Sequence, residues 1–158
     1  MFENPFNKTL DTDRHSIWLM LVEKDILAFG QSDWDLIASD FYEDGFTGVD
    51  CCHSNNPDHW KLNFPSLNSY SERWKKRSAE ITRDHQPVDL IRDLYDVTLL
   101  NDIDINGNEA IAHKKFNGHV RLSGESDIVM NWQTLYYLRK MEGIWKITGF
   151  IGYLPFEQ

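Results

Sequence analysis

The sequence predicts an α+β domain in which three N-terminal helices pack on a curved, mainly antiparallel sheet. Three observations carry this. Helical apolar spacing is confined to the first half of the chain, strand-like alternation dominates the second, and the two halves are joined without a linker. Segregated helices and strands of this kind bury one face of a bent sheet and leave a conical hollow open at one end.

The C-terminal stretch fixes the sheet most clearly. Met130 to Tyr153 reads as two runs rich in aromatic and β-branched residues around a turn at Glu142-Gly143. A tight loop there sets Met141 opposite Ile144. Alternation then puts Trp132, Thr134, Tyr136, Leu138, Trp145, Ile147, Gly149, Ile151 and Tyr153 on the inward face, with Lys140 at the open end. Gln133, Leu135, Tyr137, Arg139, Lys146, Thr148 and Phe150 form a mixed outer face, suited to water or to a second subunit.

From the start of the chain, residues 1–12 read as an arm, and Asp11, Thr12 and Asp13 offer caps for a helix from about Arg14 to Phe29. Ile17, Trp18, Leu21, Val22, Ile26 and Phe29 give it a broad apolar stripe, and Gly30 is its expected stop. Ser32 or Asp33 caps a shorter helix from Trp34 to about Phe41. Phe46 to Cys52 reads as a short strand and His53 to Pro65 as a loop. A third helix is expected over Ser69 to Asp84, ended by Gln86-Pro87. Leu90 to Ile103 and Glu109 to Arg121 read as strands joined at Asn106-Gly107, a strong hairpin signal, and Gly124 to Asp127 leads into the final hairpin.

Composition narrows the function. The chain has 158 residues, enough for one domain with one substantial core. Its net charge of −9 opposes non-specific contact with nucleic acid, which needs a basic footprint. No apolar run approaches the roughly 18 residues of a membrane span, and the N-terminus lacks the pattern of a signal peptide. The two cysteines, Cys51 and Cys52, are adjacent and form no disulfide framework, so a reducing cytoplasm is expected.

Acid–base chemistry needs a titratable group in the cavity wall. Asp50 is one candidate, since either it or Val49 must point inward. His113 is another. A hairpin at Asn106-Gly107 sets it opposite Leu100, on the face of Asp96, Thr98, Asp102, Ile111 and Lys115. Tyr95, Val97, Leu99, Ile103, Ala110, Ala112 and Phe116 make the better core face, so His113 points outward unless a bulge reverses it. Cys51, Cys52, His53, Asp58 and His59 lack the spacing of a metal motif and read as a solvated loop; neither metal nor cofactor is expected. Trp18 and Trp145 read as core. Tyr70, Trp74, Trp132, Tyr136 and Tyr153 offer apolar area with polar tips, as a pocket for a flat or cyclic organic ligand requires.

Three stretches carry a family resemblance: AFGQSDWDLIASDFYEDGFTGVD (28–50), IDINGNEAIAHKKFNGHV (103–120) and TLYYLRKMEGIWKITGFIGY (134–153). With the element order, they resemble the nuclear-transport-factor-2-like superfamily, the cystatin-like α+β cone that includes SnoaL-like cyclases, ketosteroid isomerases and scytalone dehydratases. Asp33-Trp34-Asp35 and the run Lys140 to Lys146 are similar to the scytalone-dehydratase-like members. Those enzymes work without metal, using a tyrosine–aspartate pair, a further tyrosine, two histidines and an asparagine. Here the pair falls on Phe29-Gly30, the asparagine on Thr134 and one histidine on His113, while the other falls in Leu94 to Asp96, where no histidine stands.

The resemblance therefore implies a small-hydrophobic-ligand-binding domain with Phe29 and Thr134 added to the pocket, but not that dehydratase's full catalytic set. Two functions fit. One is a cofactor-free lyase, isomerase or cyclase acting on a ring compound, with Asp50 or His113 as base and Tyr70 or Tyr136 as hydrogen-bond donor. The other is a non-catalytic binding or scaffold domain. A homodimer through the outer sheet face is expected in either case.

Overall fold

The computed structural model describes residues 2–83, 85–121 and 127–156. Residues 12–31 form one unbroken helical rod in three parts: α1 (Thr12–Trp18), a π-helical segment (Leu19–Lys24) and α2 (Asp25–Gln31). Its apolar stripe buries Ile17, Trp18, Leu21, Val22 and Ile26. The rod runs past its expected stop. It ends where Ser32 takes the left-handed conformation, φ 53°, and Gly30 lies inside it. A Cβ on Gly30 would sit 2.4 Å from Cγ1 of Ile91, so glycine serves there for close helix packing rather than termination.

Asp33 accepts from the backbone N–H of Asp35, as a cap should, but what it caps is a 3-10 turn (Trp34–Leu36) followed by another (Ala38–Asp40) instead of a second α-helix. Strand β1 (Thr47–Asp50) is followed by β2 (Lys61–Phe64), which lies where only a loop was expected. Helix α3 (Leu67–Thr82) starts two residues earlier than expected, on a reciprocal capping pair between Ser66 and Ser69.

The largest correction is α4 (Pro87–Val97), where the sequence reading had a strand beginning at Leu90. Pro87 does not merely close the previous helix; it occupies the first turn of the next, where its missing N–H costs nothing. Leu90, Ile91, Leu94 and Val97 are buried at helical spacing, against the rod and the sheet. Only from Thr98 does the chain extend, as β3 (Thr98–Asn106), followed by β4 (Glu109–Val120), β5 (Ile128–Met141) and β6 (Ile144–Pro155). The lead-in at Gly124 to Ser126 and the expected helix end at Asp84 lie outside the described residues.

The strands form one sheet in the order β2-β1-β6-β5-β4-β3. All pairings are antiparallel except β1 with β6, which makes the sheet mixed. Met141 faces Ile144 across the turn, as read from sequence. The β3–β4 turn is Gly107-Asn108, and Asn106 pairs with Glu109, so His113 faces Asp102 rather than Leu100. A slip of two residues preserves the face, and His113 points outward while Ala110, Ala112 and Lys114 are buried. On β3 the register shifts between Leu99 and Asp102. Leu100 is buried in place of Leu99, which is exposed.

Two register shifts each set one extra residue on β6 against β5, an irregularity of the kind that bends a strand. Each also flips the alternation. Phe150 turns inward, 4 % exposed, although strict alternation had put it outside, and Ile151 takes the outer phase opposite Leu135. Tyr153 follows in a left-handed conformation, φ 61°. The N-terminal arm is strapped down: the ring of Phe2 packs edge-on against Tyr95, 4.9 Å away, and the amide N–H of Glu3 donates to the Tyr95 hydroxyl. No helix among the described residues is long and apolar enough to cross a membrane.

Candidate functional site

The helical rod, α3, α4 and residues of the sheet from β1 and from β3 to β6 line an open-mouthed cavity of about 810 Å³. Its wall contains Phe29, Asp50, Tyr70, Trp74, Trp132, Thr134, Tyr136 and Tyr153. Every site residue expected from the sequence is therefore brought to this cavity except His113, which stands on the far side of the sheet opposite Leu135 and Asp102. Trp74 belongs as much to packing as to the pocket. It meets Phe29 and Trp34 edge-on at 5.5 and 5.2 Å, and is itself buried. Trp132 leans on Phe116 and Tyr153 at 5.4 and 5.8 Å, and Tyr70 on Phe150 at 4.9 Å.

Asp50 lies in the cavity wall, with its carboxylate already engaged. Oδ1 accepts from the Cys52 amide at 2.8 Å and Oδ2 from the Asn63 side chain at 3.0 Å. Cys51 beside it is buried, and burial, with Asp50 and Cys52 nearby, pushes its thiol up to about 11. His59 shares a hydrogen bond with Ser54. Among the described residues no three His, Cys, Asp or Glu side chains converge as a metal would require.

The chemistry that the sequence reading missed lies deeper. Lys114, 1 % exposed, donates from Nζ to Oδ2 of Asp25 at 2.8 Å and to the carbonyl of Leu21 at 2.5 Å. Both Lys114 and Asp25 line the cavity, and the Asp25 side chain is 29 % exposed. The acceptor Leu21 lies in the π-helical segment, a widened turn of a type that recurs at functional sites. Burying an ion pair costs more desolvation than its attraction returns unless its polar atoms are well satisfied, so such a pair is weak as a stability device.

A signal for the pair was present in the sequence. Lys114 falls in the apolar phase of its strand between Ala112 and Phe116, and Asp25 interrupts the helical stripe between Leu21 and Phe29. Each is a charge in an otherwise apolar phase, fully buried at Lys114 and partly exposed at Asp25.

Two tyrosines line the same cavity and feel the charge of Asp25. Burial chiefly, and then the neighbouring Tyr136 phenol and the charge of Asp25, hold the Tyr70 phenol well above its ordinary pKa. Burial and Asp25 do the same to Tyr136, against a lowering hydrogen bond with Tyr70. Both hydroxyls thus stay protonated donors at any physiological pH. Tyr153 is raised by burial and by Asp50, and eased back by Arg73 and Arg77.

Against known proteins, no family model matches this sequence, and no curated protein does. Solved structures do. A candidate dehydratase of the NTF2-like family from Streptomyces avermitilis superposes with a TM-score of 0.62 at 13% identity, over 93% of this chain and 98% of that one. The chain has the NTF2-like fold. A candidate ketosteroid isomerase from Shewanella frigidimarina gives 0.53 at 14% identity, over 83% and 90% of the two chains. A domain of cystatin-like fold from Nostoc punctiforme gives 0.52 at 16%, over 91% and 78%. Likeness at these identities is one of fold, so the NTF2-like cone is shared while the residues in its wall are this chain's own.

Proposed function

We propose that the cavity binds a small, mainly apolar ring compound bearing a carbonyl, and that Asp25 moves a proton at the neighbouring carbon. The observation that carries this is the asymmetry of the ion pair: both side chains line the cavity, but Lys114 is 1 % exposed whereas the Asp25 carboxylate that it holds is 29 % exposed. Lys114 engages Oδ2, leaving Oδ1 as the oxygen offered to a ligand. In the proposed step Oδ1 takes the proton from carbon and the C–H electron pair moves into the carbonyl. The resulting enolate oxygen accepts hydrogen bonds from Tyr70 or Tyr136. Return of the proton to another carbon is an isomerisation; loss of a β-hydroxyl as water is a dehydration. NTF2-like neighbours described as a candidate ketosteroid isomerase and a candidate dehydratase support this class of reaction.

The reading replaces Asp50 and His113 with Asp25 as base and keeps Tyr70 and Tyr136 as donors. Its first test is binding, because a ligand for the native state raises stability by mass action. The melting temperature of the protein should rise with the concentration of 2-tetralone, and a Thr134→Trp variant, filling the cavity, should lose the rise. No shift at any soluble concentration of bicyclic ketones or alcohols would overturn the reading.

A further inference from the structure

The entrance of the cavity has a charge unlike the chain's. The chain as a whole carries −9, yet α3 supplies Arg73, Lys76 and Arg77 to the cavity wall. They share a stripe of that helix with Tyr70 and Trp74, so the surface that presents the aromatic rings inward presents the cations at its border. Arg73 and Arg77 are one turn apart, about 6 Å along the axis.

Besides Asp25, which pairs with Lys114, the same wall sets two carboxylates against these three cations, Asp50 and Glu80. Asp50 keeps its charge, but its oxygens accept from the Cys52 amide and the Asn63 side chain and form no ion pair with the arginines among the described residues. Glu80 approaches only Arg77, at a loose 3.9 Å. Among the described residues neither Arg73 nor Lys76 forms an ion pair. The guanidinium of Arg73 instead lies 6.0 Å from the ring centre of Phe64, and its charge and that of Arg77 reach Tyr153.

From this we infer that the ring compound carries an anionic group, a carboxylate, which Arg73 and Arg77 hold at the rim while the ring system enters between Tyr136 and Trp132. The inference rests on the ring-binding reading above and adds the polarity and direction of the ligand. Two guanidinium forks one turn apart suit a planar carboxylate, and a local cationic rim is what would admit an anion to a protein whose overall field repels it.

Isothermal titration of 2-naphthylacetate and 2-naphthylacetamide, at low ionic strength, separates the possibilities. The two share ring and length and differ in charge. The carboxylate should bind wild type about tenfold more tightly than the amide, and added salt should erode that preference. In Arg73→Gln/Arg77→Gln the ratio should collapse toward one. Equal binding of the two compounds to wild type would overturn the anionic ligand and leave ring binding standing. A preference that survives in the double variant would overturn the assignment to α3. Binding of neither compound would remove the inference and count against the reading on which it rests.

Discussion

The ammonium of Lys114 on β4 and the carboxylate of Asp25 at the start of α2 stand 2.8 Å apart across the interface of sheet and helical rod, the first almost wholly buried and the second partly exposed. Removing either partner is therefore unequal. Asp25→Leu strands a buried ammonium and should cost about 3–5 kcal/mol in urea unfolding. Lys114→Met leaves a carboxylate that cavity water can reach, and should cost less. The double variant should recover most of the loss, since a well-packed apolar pair commonly matches a buried ion pair. A double variant as unstable as the sum of the singles would mean that the pair holds the fold together.

Helix packing at Gly30 makes a steric prediction. Gly30→Ala puts a methyl carbon 2.4 Å from Cγ1 of Ile91, and should destabilise by about 1–3 kcal/mol despite alanine's better helix propensity. Combined with Ile91→Ala, which vacates the space, it should cost less than the sum of the two single changes, measured by the same unfolding experiment.

Acid sensitivity should concentrate at the α4–β4 junction. Burial works to raise the pKa of Asp93, but hydrogen bonds from the Arg121 side chain, at 3.0 Å, and the Arg121 backbone hold it below its ordinary value. A carboxyl lowered in the folded state contributes stability above its unfolded pKa, near 4, and loses it as pH falls through the lower folded value. Asp93→Asn should therefore cost about 1–3 kcal/mol at pH 7 and progressively less below pH 4. Unfolding curves for the two proteins that stay equally separated from pH 7 to pH 2 would contradict it. Asp13, lowered by hydrogen bonds from Trp145 and Lys140, works in the same direction at a more exposed site.

The adjacent cysteines should differ in reach but share low reactivity. Cys51 is buried with its thiol pushed up to about 11, and exposed Cys52 is raised as well, by desolvation and by Asp50. At pH 7 a disulfide reagent should label the native protein at one thiol only, Cys52, and slowly; both should react at once in denaturant. Rapid labelling of Cys51 in native protein would contradict the packing around it.

Much of the architecture was legible because it rests on periodicity and turns. The Glu142-Gly143 hairpin, the helical rod and α3 follow from local patterns that tertiary contacts reinforce. What was not legible came from places where two signals compete. The run from Leu90 to Val97 includes the strand formers Ile91, Tyr95 and Val97, yet Pro87 starts a helix whose buried residues recur at 3.6. Phe150 is inward because register shifts on β6 invert the alternation, and no local residue announces them. The aromatic lining of the cavity could be read from the inner face alone. Asp25 and Lys114 each stood out as a charge in an apolar phase, but their pairing was not legible, because helix and strand that are 89 residues apart meet only in the folded chain.

Hydrogen exchange at carbon tests the central claim most directly. With 2-tetralone bound in deuterated buffer, proton NMR follows the loss of signal at the carbons beside its carbonyl. Wild type should accelerate that loss, and Asp25→Asn, still able to bind the ketone, should be slower by about 10² to 10⁴-fold, the usual worth of a positioned base. Exchange by Asp25→Asn as fast as by wild type, or a bound ketone that exchanges no faster than in buffer, would contradict the account.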